Sequence, residues 1–98
     1  MQDTLGNTLK ALREARQLTL KEAADRLTVD LSLLARIEKG QRSVSEALFG
    51  RLAALFGVEE RQLRLLALAD EVYEAVRPHE FAADALKLVQ KKITAPNP

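Results

Sequence analysis

The chain has 98 residues, which is enough for one domain with a modest hydrophobic core. Its hydrophobic fraction of 47% and charged fraction of 30% exclude an intrinsically disordered chain, and the absence of cysteine excludes a disulfide framework and a thiolate metal site. The net charge of +1 is weak evidence for a nucleic-acid partner, and the small basic excess lies in residues 1–58.

Few β-branched residues, together with apolar residues at spacings of three and four, predict an entirely helical chain. The first helix is predicted at about residues 4–16, where leucines at i, i+4 and i+7 form one apolar face. The second begins at Thr19, because Thr19 and Glu22 have the spacing of a capping box, and it ends near Leu27.

A turn of only three residues, 28–30, leads into the third helix. Asp30 is predicted to be its N-cap, and Gly40 is predicted to stop it after residue 39. The fourth helix is predicted between Ser45 and Gly57. Two helices joined by so short a turn have the geometry of a helix-turn-helix, whose second helix can enter the major groove of DNA.

The fifth helix is predicted to open at Glu59 or Glu60 and to run to a break at Pro78, and the sixth to span about residues 79–93. Residues 94–98 are predicted to fray. The fifth helix is apolar on more than one face and therefore needs cover on two sides. We expect the sixth helix to cover one side and a second copy of the chain to cover the other.

These two helices predict a two-fold homodimer built on residues 63–93. Such a dimer places two copies of the third helix about one turn of DNA apart, as a palindromic site requires. The alternative is a monomer in which the sixth helix folds back and hides the apolar side chains. The expected interface residues are Leu65, Leu66, Leu68, Val72, Tyr73, Val76, Phe81 and Val89.

The residues of a known sequence pattern fall in one register over residues 5–68. These residues are Leu18-Thr19, Glu22-Ala23-Ala24, Val29-Asp30, Leu34, Ile37-Glu38-Lys39-Gly40, Arg42, Ser45, Ala53, Gly57-Val58 and Leu63. In this pattern the chain resembles the lambdoid phage repressors, Cro and the xenobiotic-response-element (XRE) regulators. The resemblance implies an all-α fold, namely a five-helix lambda-repressor-like DNA-binding domain with a lengthened fifth helix and an added sixth. We expect residues 1–68 to form the helix-turn-helix domain, 69–93 a dimerising extension and 94–98 a tail.

The resemblance places the base-reading face on the third helix. Arg36 is the candidate for a bidentate guanine contact, while the leucines there can touch thymine methyl groups. The alternative for the leucines is packing against another protein, because exposed leucines form a small sticky patch. The expected base contacts are Leu31, Ser32, Leu33 and Arg36.

The resemblance also implies two phosphate grips and one ion pair. The start of the second helix offers backbone amides and the helix dipole, and the loop after Gly40 offers amides and a guanidinium. The expected pair is Arg13 with Glu38, and the alternative is two solvated charges. Lys21 and Arg42 have the same alternative. The expected phosphate contacts are Thr19, Leu20, Lys21, Gln41, Arg42 and Ser43.

The sequence shows no pattern typical of an enzyme. The single histidine, His79, follows a proline at a helix start, and Glu80 and Asp84 do not have the spacing of metal ligands with it. No phosphate-binding loop or nucleophile motif occurs. We therefore expect no catalysis, no metal and no cofactor.

We expect a cytoplasmic protein with no membrane association. The first ten residues lack the basic start and apolar run of a signal peptide, and no stretch of about 18 apolar residues occurs. The expected function is that of a transcriptional regulator, a repressor or autoregulator, which binds double-stranded DNA as a homodimer. The alternatives are an antitoxin or restriction-modification controller with a protein partner (a toxin or another regulator), a protein-interaction module that keeps the fold, and a nonspecific nucleoid-type binder.

Overall fold

The structure, a computed structural model, describes residues 4–95, and within this range it contains six helices and no strand. The helices are α1 (Leu5–Ala15), α2 (Leu20–Leu27), α3 (Leu31–Glu38), α4 (Glu46–Phe56), α5 (Glu60–Val76) and α6 (Ala82–Thr94). The prediction of an all-helical fold is confirmed. The largest difference in bounds is at the sixth helix, which begins at Ala82 rather than at residue 79. Residues 1–3 and 96–98, parts of the predicted first domain and tail, lie outside the described residues.

The hydrophobic core is built by α1 to α5 and receives no buried side chain from α6. Fully burying one leucine contributes roughly 1.5–3 kcal/mol, so the leucines at the centre of this core hold the first five helices together. The largest fully buried side chains are Leu9, Leu27, Leu34, Leu48, Leu52 and Leu63.

Helices α1 and α3 approach each other closely at Gly6. A Cβ atom at this position would lie 2.8 Å from the carbonyl oxygen of Ile37 and closer still to that of Glu38. Closely packed interiors do not tolerate contacts this short. Glycine therefore allows the backbone of α1 to lie directly against the end of α3 and to fix its position.

Two polar side chains satisfy backbone groups at the ends of distant helices. Asp70 Oδ2 on α5 accepts a hydrogen bond from the backbone N–H of Leu5 at 2.9 Å, and Arg51 Nη1 on α4 donates to the carbonyl oxygen of Leu27 at 2.7 Å. The first four amides and last four carbonyls of a helix have no partner within it. Through these two contacts α5 caps the start of α1, and α4 caps the end of α2.

Helix α6 extends away from the core, in contrast to the expected cover over α5. Phe81 and Ile93 have 69% and 76% of their surface exposed, and no residue of α6 is buried. The backbone amides of His79 and Ala82 donate to the carbonyls of Val76 and His79, so a hydrogen-bonded turn redirects the chain. The radius of gyration of 15.8 Å exceeds the ~13 Å of a compact domain of this length, in agreement with the extended arm.

Candidate nucleic-acid interface

Helices α2 and α3 meet at a tight turn with small residues at the contact. Ala23 and Ala24 are fully buried, which brings the axis of α2 close to its neighbours. Thr28 adopts a left-handed conformation with φ of 59°, and the amide of Val29 donates to the carbonyl of Ala24 at 3.0 Å. Asp30 occupies the N-cap position of α3 as predicted, but its side chain makes no capping hydrogen bond.

The capping box predicted at the start of α2 is present. Thr19 Oγ1 accepts from the amide of Glu22 at 3.1 Å, and Glu22 Oε1 accepts from the amide of Thr19 at 2.9 Å. The Thr19 backbone N–H that donates to the carboxylate, followed by the Thr19 hydroxyl, lowers the pKa of Glu22 below its ordinary value. The box defines where α2 begins and leaves the positive end of its dipole facing outward.

Arg13 and Glu38 form a two-pronged ion pair that joins α1 to the end of α3. Arg13 Nε and Nη2 donate to the two carboxylate oxygens at 2.8 and 3.0 Å, and Nη1 donates to the carbonyl of Leu18 at 2.9 Å. Only 12% of the arginine side chain and 7% of the glutamate side chain are exposed. The hydrogen bonds that Arg13 donates to the Glu38 carboxylate raise the pKa of Arg13 above its ordinary value. One guanidinium thus fixes α1, the approach to α2 and the end of α3 relative to one another.

The predicted base-reading residues are not equally accessible. Leu31 has 47% of its surface exposed, and Ser32 and Arg36 are also exposed. Leu33 differs, because it is half-buried and packs against the core. The two leucines therefore do not form the exposed pair that the sequence suggested, and the accessible surface of α3 consists mainly of Leu31, Ser32 and Arg36.

The start of α2 offers backbone amides more readily than side chains. No acceptor within residues 4–95 is found for the amides of Leu20 and Lys21, whereas the side chain of Leu20 packs against the core. The ammonium group of Lys21 lies 3.2 Å from Asp25, in an exposed pair of the kind that contributes little stability. The charge of this lysine is thus partly neutralised by its neighbour.

The loop after α3 begins as a helix-terminating motif. Gly40 has φ of 76°, its amide donates to Ile37, and the amide of Gln41 donates to the carbonyl of Arg36 at 2.8 Å. This pair of hydrogen bonds is a Schellman motif, so the amide of Gln41 is already occupied. Arg42 and Ser43 are exposed, and no acceptor for their amides is found in the described part of the chain.

The sequence did not predict the contacts of Arg51 and Asp70, which hold the helices beneath this surface. Each joins positions far apart in the chain, by 24 and 65 residues respectively, and such contacts leave no local spacing signal. Residues 4–95 contain no cluster of three or more acidic, histidine or cysteine side chains arranged to hold a metal ion. The described helices also include none with the length and apolar character needed to cross a membrane.

The sequence profile of the helix-turn-helix domain family matches residues 4–66, which comprise α1 to the middle of α5. The chain belongs to the helix-turn-helix domain family. The match to the family ends within α5, so α6 lies outside the matched residues. The prediction of this fold family from the sequence is therefore confirmed.

Two individual proteins are similar to this helix-turn-helix chain. It is 35% identical over 87 residues to the HTH-type transcriptional repressor RghR of Bacillus subtilis (strain 168), a stretch that covers 87% of this chain. The match spans 64% of the length of that repressor. The crystal structure of the clp gene regulator ClgR from Corynebacterium glutamicum shares the fold, with a TM-score of 0.59 and 22% identity. That likeness covers 97% of this chain and 95% of ClgR, so it includes the additional helix.

Proposed function

We propose that the protein is a sequence-specific DNA-binding regulator of transcription, which acts in the cytoplasm as a repressor or autoregulator. In this proposal a homodimer binds a palindromic operator and competes with RNA polymerase for it. Residues 1–68 bind DNA, and residues 69–93 carry the dimer contacts. The family membership and the repressor RghR support the proposal. It includes no catalytic step, metal or cofactor.

The observation that carries the proposal is the two-sided character of α3. Its inner side, Leu34 and Ile37, is buried in the core, while its outer side presents Ser32 and Arg36 to solvent. The ion pair at Glu38 and the contact at Gly6 hold this helix by its end. A short helix held in this way can present its first residues to the major groove without moving.

Direct reading of bases by this surface is limited. Arg36 is the residue we assign to a guanine, with Ser32 and Leu31 contacting neighbouring bases and Leu33 at the margin. Backbone amides hold the phosphates, namely the amide of Lys21 at the start of α2 and the amides that follow Gln41 in the loop. Thr19, Leu20, Arg42 and Ser43 contribute to the same contacts. Since phosphate contacts carry no sequence information, the shape of the operator supplies part of the specificity.

The test is selection of bound duplexes from a random DNA library at near-physiological salt, with Arg36→Ala and Arg36→Lys beside the wild type. We expect the wild type to enrich a palindrome. Both variants should lose discrimination at one symmetric position, by about 1–3 kcal/mol, because lysine keeps the charge but lacks the planar fork. Lys10→Ala, which removes an exposed charge from α1, is the matched control and should leave the motif unchanged.

A second measurement follows affinity for the selected duplex against salt concentration. Arg42→Ala should weaken binding to all duplexes similarly and reduce the slope of the logarithm of affinity against the logarithm of salt concentration by about 1. No enrichment by a folded protein would contradict the proposal. A steep salt slope without a preferred site would indicate a nucleoid-type binder instead.

A second candidate function is a protein-interaction module, which the exposure of Leu31 on a protruding helix favours. This function predicts partner binding that is insensitive to Arg36→Ala and Arg42→Ala. An antitoxin or a restriction-modification controller would use the same DNA surface, with a toxin or another regulator as its partner. Co-purification of that partner with the operator-bound dimer would distinguish these roles from a regulator acting alone.

A further inference from the structure

Four residues within the described part of the chain adopt a left-handed backbone conformation, and two of them are not glycine. Gly40 and Gly57 stand at the ends of α3 and α4, with φ of 76° and 64°. Gln17 and Thr28 flank α2 on its two sides, with φ of 57° and 59°. This conformation is costly for a residue with a Cβ atom, and most of all for a β-branched one such as Thr28. Backbone strain is therefore concentrated at the two ends of α2.

Each of the two strained residues adjoins a carbonyl group that an arginine from another helix holds. Arg51 Nη1 on α4 donates to the carbonyl of Leu27, one residue before the strained threonine, at 2.7 Å. Arg13 Nη1 on α1 donates to the carbonyl of Leu18, one residue after the strained glutamine, at 2.9 Å. Both leucine side chains are buried in the core. Neighbouring helices thus hold the chain directly beside each strained position.

The conformation of Thr28 sets the direction in which α3 leaves α2. The amide of Val29 donates back to the carbonyl of Ala24 at 3.0 Å, a bond that belongs to a left-handed helix end. Helix α3 begins only three residues after Thr28, at Leu31. A rotation about one backbone bond of Thr28 would therefore move the whole of α3 relative to the start of α2. The proposed base contacts would then shift relative to the proposed phosphate contacts.

Arg51 acts on the peptide unit that determines this rotation. The carbonyl of Leu27 and the amide of Thr28 belong to one planar peptide group, so holding the carbonyl fixes the orientation of both. The same amide donates to the carbonyl of Asp25 at 3.2 Å on the other side of the plane. Hydrogen bonds from a charged guanidinium are stronger than those between neutral groups. The contact from Arg51 therefore holds the peptide group in the orientation that the left-handed threonine requires.

We infer that Arg51 is a positioning residue for the reading of DNA. Its hydrogen bond to the carbonyl of Leu27 holds Thr28 in the left-handed conformation and thereby sets the angle at which α3 enters the major groove. Arg51 itself contacts no base in this role. The inference rests on the proposed function, since it specifies what aligns the base-reading helix with the phosphate contacts of α2.

The first test compares two duplexes, the selected palindrome and a scrambled sequence of the same composition. Arg51→Met keeps the apolar stem of the side chain and removes the donor. Its affinity for the palindrome should fall about tenfold relative to its affinity for the scrambled duplex, which is in the range that one mismatched base pair costs. Arg61→Met, which removes an exposed arginine from α5, is the matched control and should leave this ratio unchanged. Fluorescence anisotropy measures binding, and circular dichroism verifies that each variant is folded.

Salt dependence distinguishes positioning from a direct phosphate contact. A positioning residue leaves the number of neutralised phosphates unchanged, so we expect Arg51→Met to keep the wild-type slope of affinity against salt concentration. A loss of affinity that is equal for both duplexes, with the slope reduced by about 1, would overturn the inference, because Arg51 would then contact a phosphate itself.

A second substitution tests whether the left-handed turn is what Arg51 holds. Glycine adopts this conformation without a Cβ clash, so Thr28→Gly removes the need for the arginine. Adding Thr28→Gly to Arg51→Met should restore most of the lost ratio between the two duplexes. A wild-type ratio in the folded Arg51→Met variant would mean that Arg51 only stabilises the fold, and a lowered ratio without rescue by glycine would mean that it acts elsewhere. Either result would overturn the inference.

Hydrogen exchange at the amide of Val29 tests the turn without DNA. We expect its protection to fall about tenfold in Arg51→Met and to return when Thr28→Gly is added. The amide of Val58, which makes the corresponding bond to Ala53 beyond α4, is the internal control and should not change. Unchanged protection of Val29 would overturn the inference even if the wild type selects a palindrome. If no palindrome is selected, a responsive Val29 amide would show that the proposed function fails while the hold on the turn stands.

Discussion

The first five helices and the α6 arm bury their apolar residues in different ways. Residues 4–66 enclose most of their leucines within one chain, so that Leu52 has 0% of its surface exposed. The arm has a comparable apolar stripe, yet Leu88 beside it is 60% exposed. An amphipathic helix needs a surface to bind, and folding of the core does not supply one for α6.

The sharpest way to test this comparison is the same substitution in both regions. Leu52→Ala should lower the free energy of unfolding by about 3–5 kcal/mol, because it removes a fully buried side chain and leaves a cavity. Leu88→Ala, at low protein concentration, should change it by less than about 0.5 kcal/mol. Urea unfolding measures both, and a cost at Leu88 similar to that at Leu52 would mean that the arm packs within its own chain.

The next largest effect is expected at the ion pair between Arg13 and Glu38, which fixes the end of α3. Arg13→Ala leaves Glu38 partly buried without its partner, and we expect a loss of about 3 kcal/mol of unfolding free energy. Arg77→Ala is the control, because it removes an arginine from an exposed pair with Glu74 beside the arm. It should cost no more than about 1 kcal/mol. Unchanged melting of Arg13→Ala would disprove the structural role.

The close approach of α1 to α3 should be next in size. Gly6→Ala would usually favour a helix, yet here the added methyl group meets two carbonyl oxygens, so we expect a loss of about 1–3 kcal/mol. Gly50→Ala, at an exposed helical position with more space around it, is the matched control and should be neutral or stabilising. Equal melting temperatures for the two variants would show that α3 is not held by this contact.

The smallest effect concerns the capping box of α2 and depends on pH. Because hydrogen bonding from Thr19 lowers the pKa of Glu22 in the folded state, the carboxylate contributes stability that is fully present above its unfolded pKa. This contribution is lost as the pH falls through the lower folded pKa. Glu22→Gln keeps the box without a titrating group. The difference in stability between wild type and variant should therefore shrink between pH 7 and pH 3, and a constant difference would argue against the assignment.

Local patterns predicted the helices and their ends well, for physical reasons. Capping boxes, glycines in left-handed conformations and apolar periodicity act over a few residues, so Thr19 and Gly40 could be assigned from the sequence. The pairing of Arg13 with Glu38 came from the resemblance to known repressors. Its geometry depends on how α1 lies against α3, which no local spacing records.

The features that the sequence did not predict depend on contacts between residues far apart in the chain. The partial burial of Leu33 and Leu66 follows from packing of α3 and α5 on the core, and the periodicity of those helices was too broad to predict it. The direction of α6 follows from the turn at residues 77–81, which the sequence identified only as a break at a proline. In both cases an apolar side chain could pack either on the core of its own chain or on another surface.

The hydrogen bond from the amide of Leu5 to Asp70 has a practical consequence for anyone who shortens this chain. The match to the family ends at residue 66, but the residue that caps α1 lies four positions further on. A fragment cut at 66 would lose the acceptor for the first amide of its first helix, whereas one cut after Glu74 would keep it. A fragment that keeps the cap of α1 therefore extends about one helical turn beyond the recognisable family boundary.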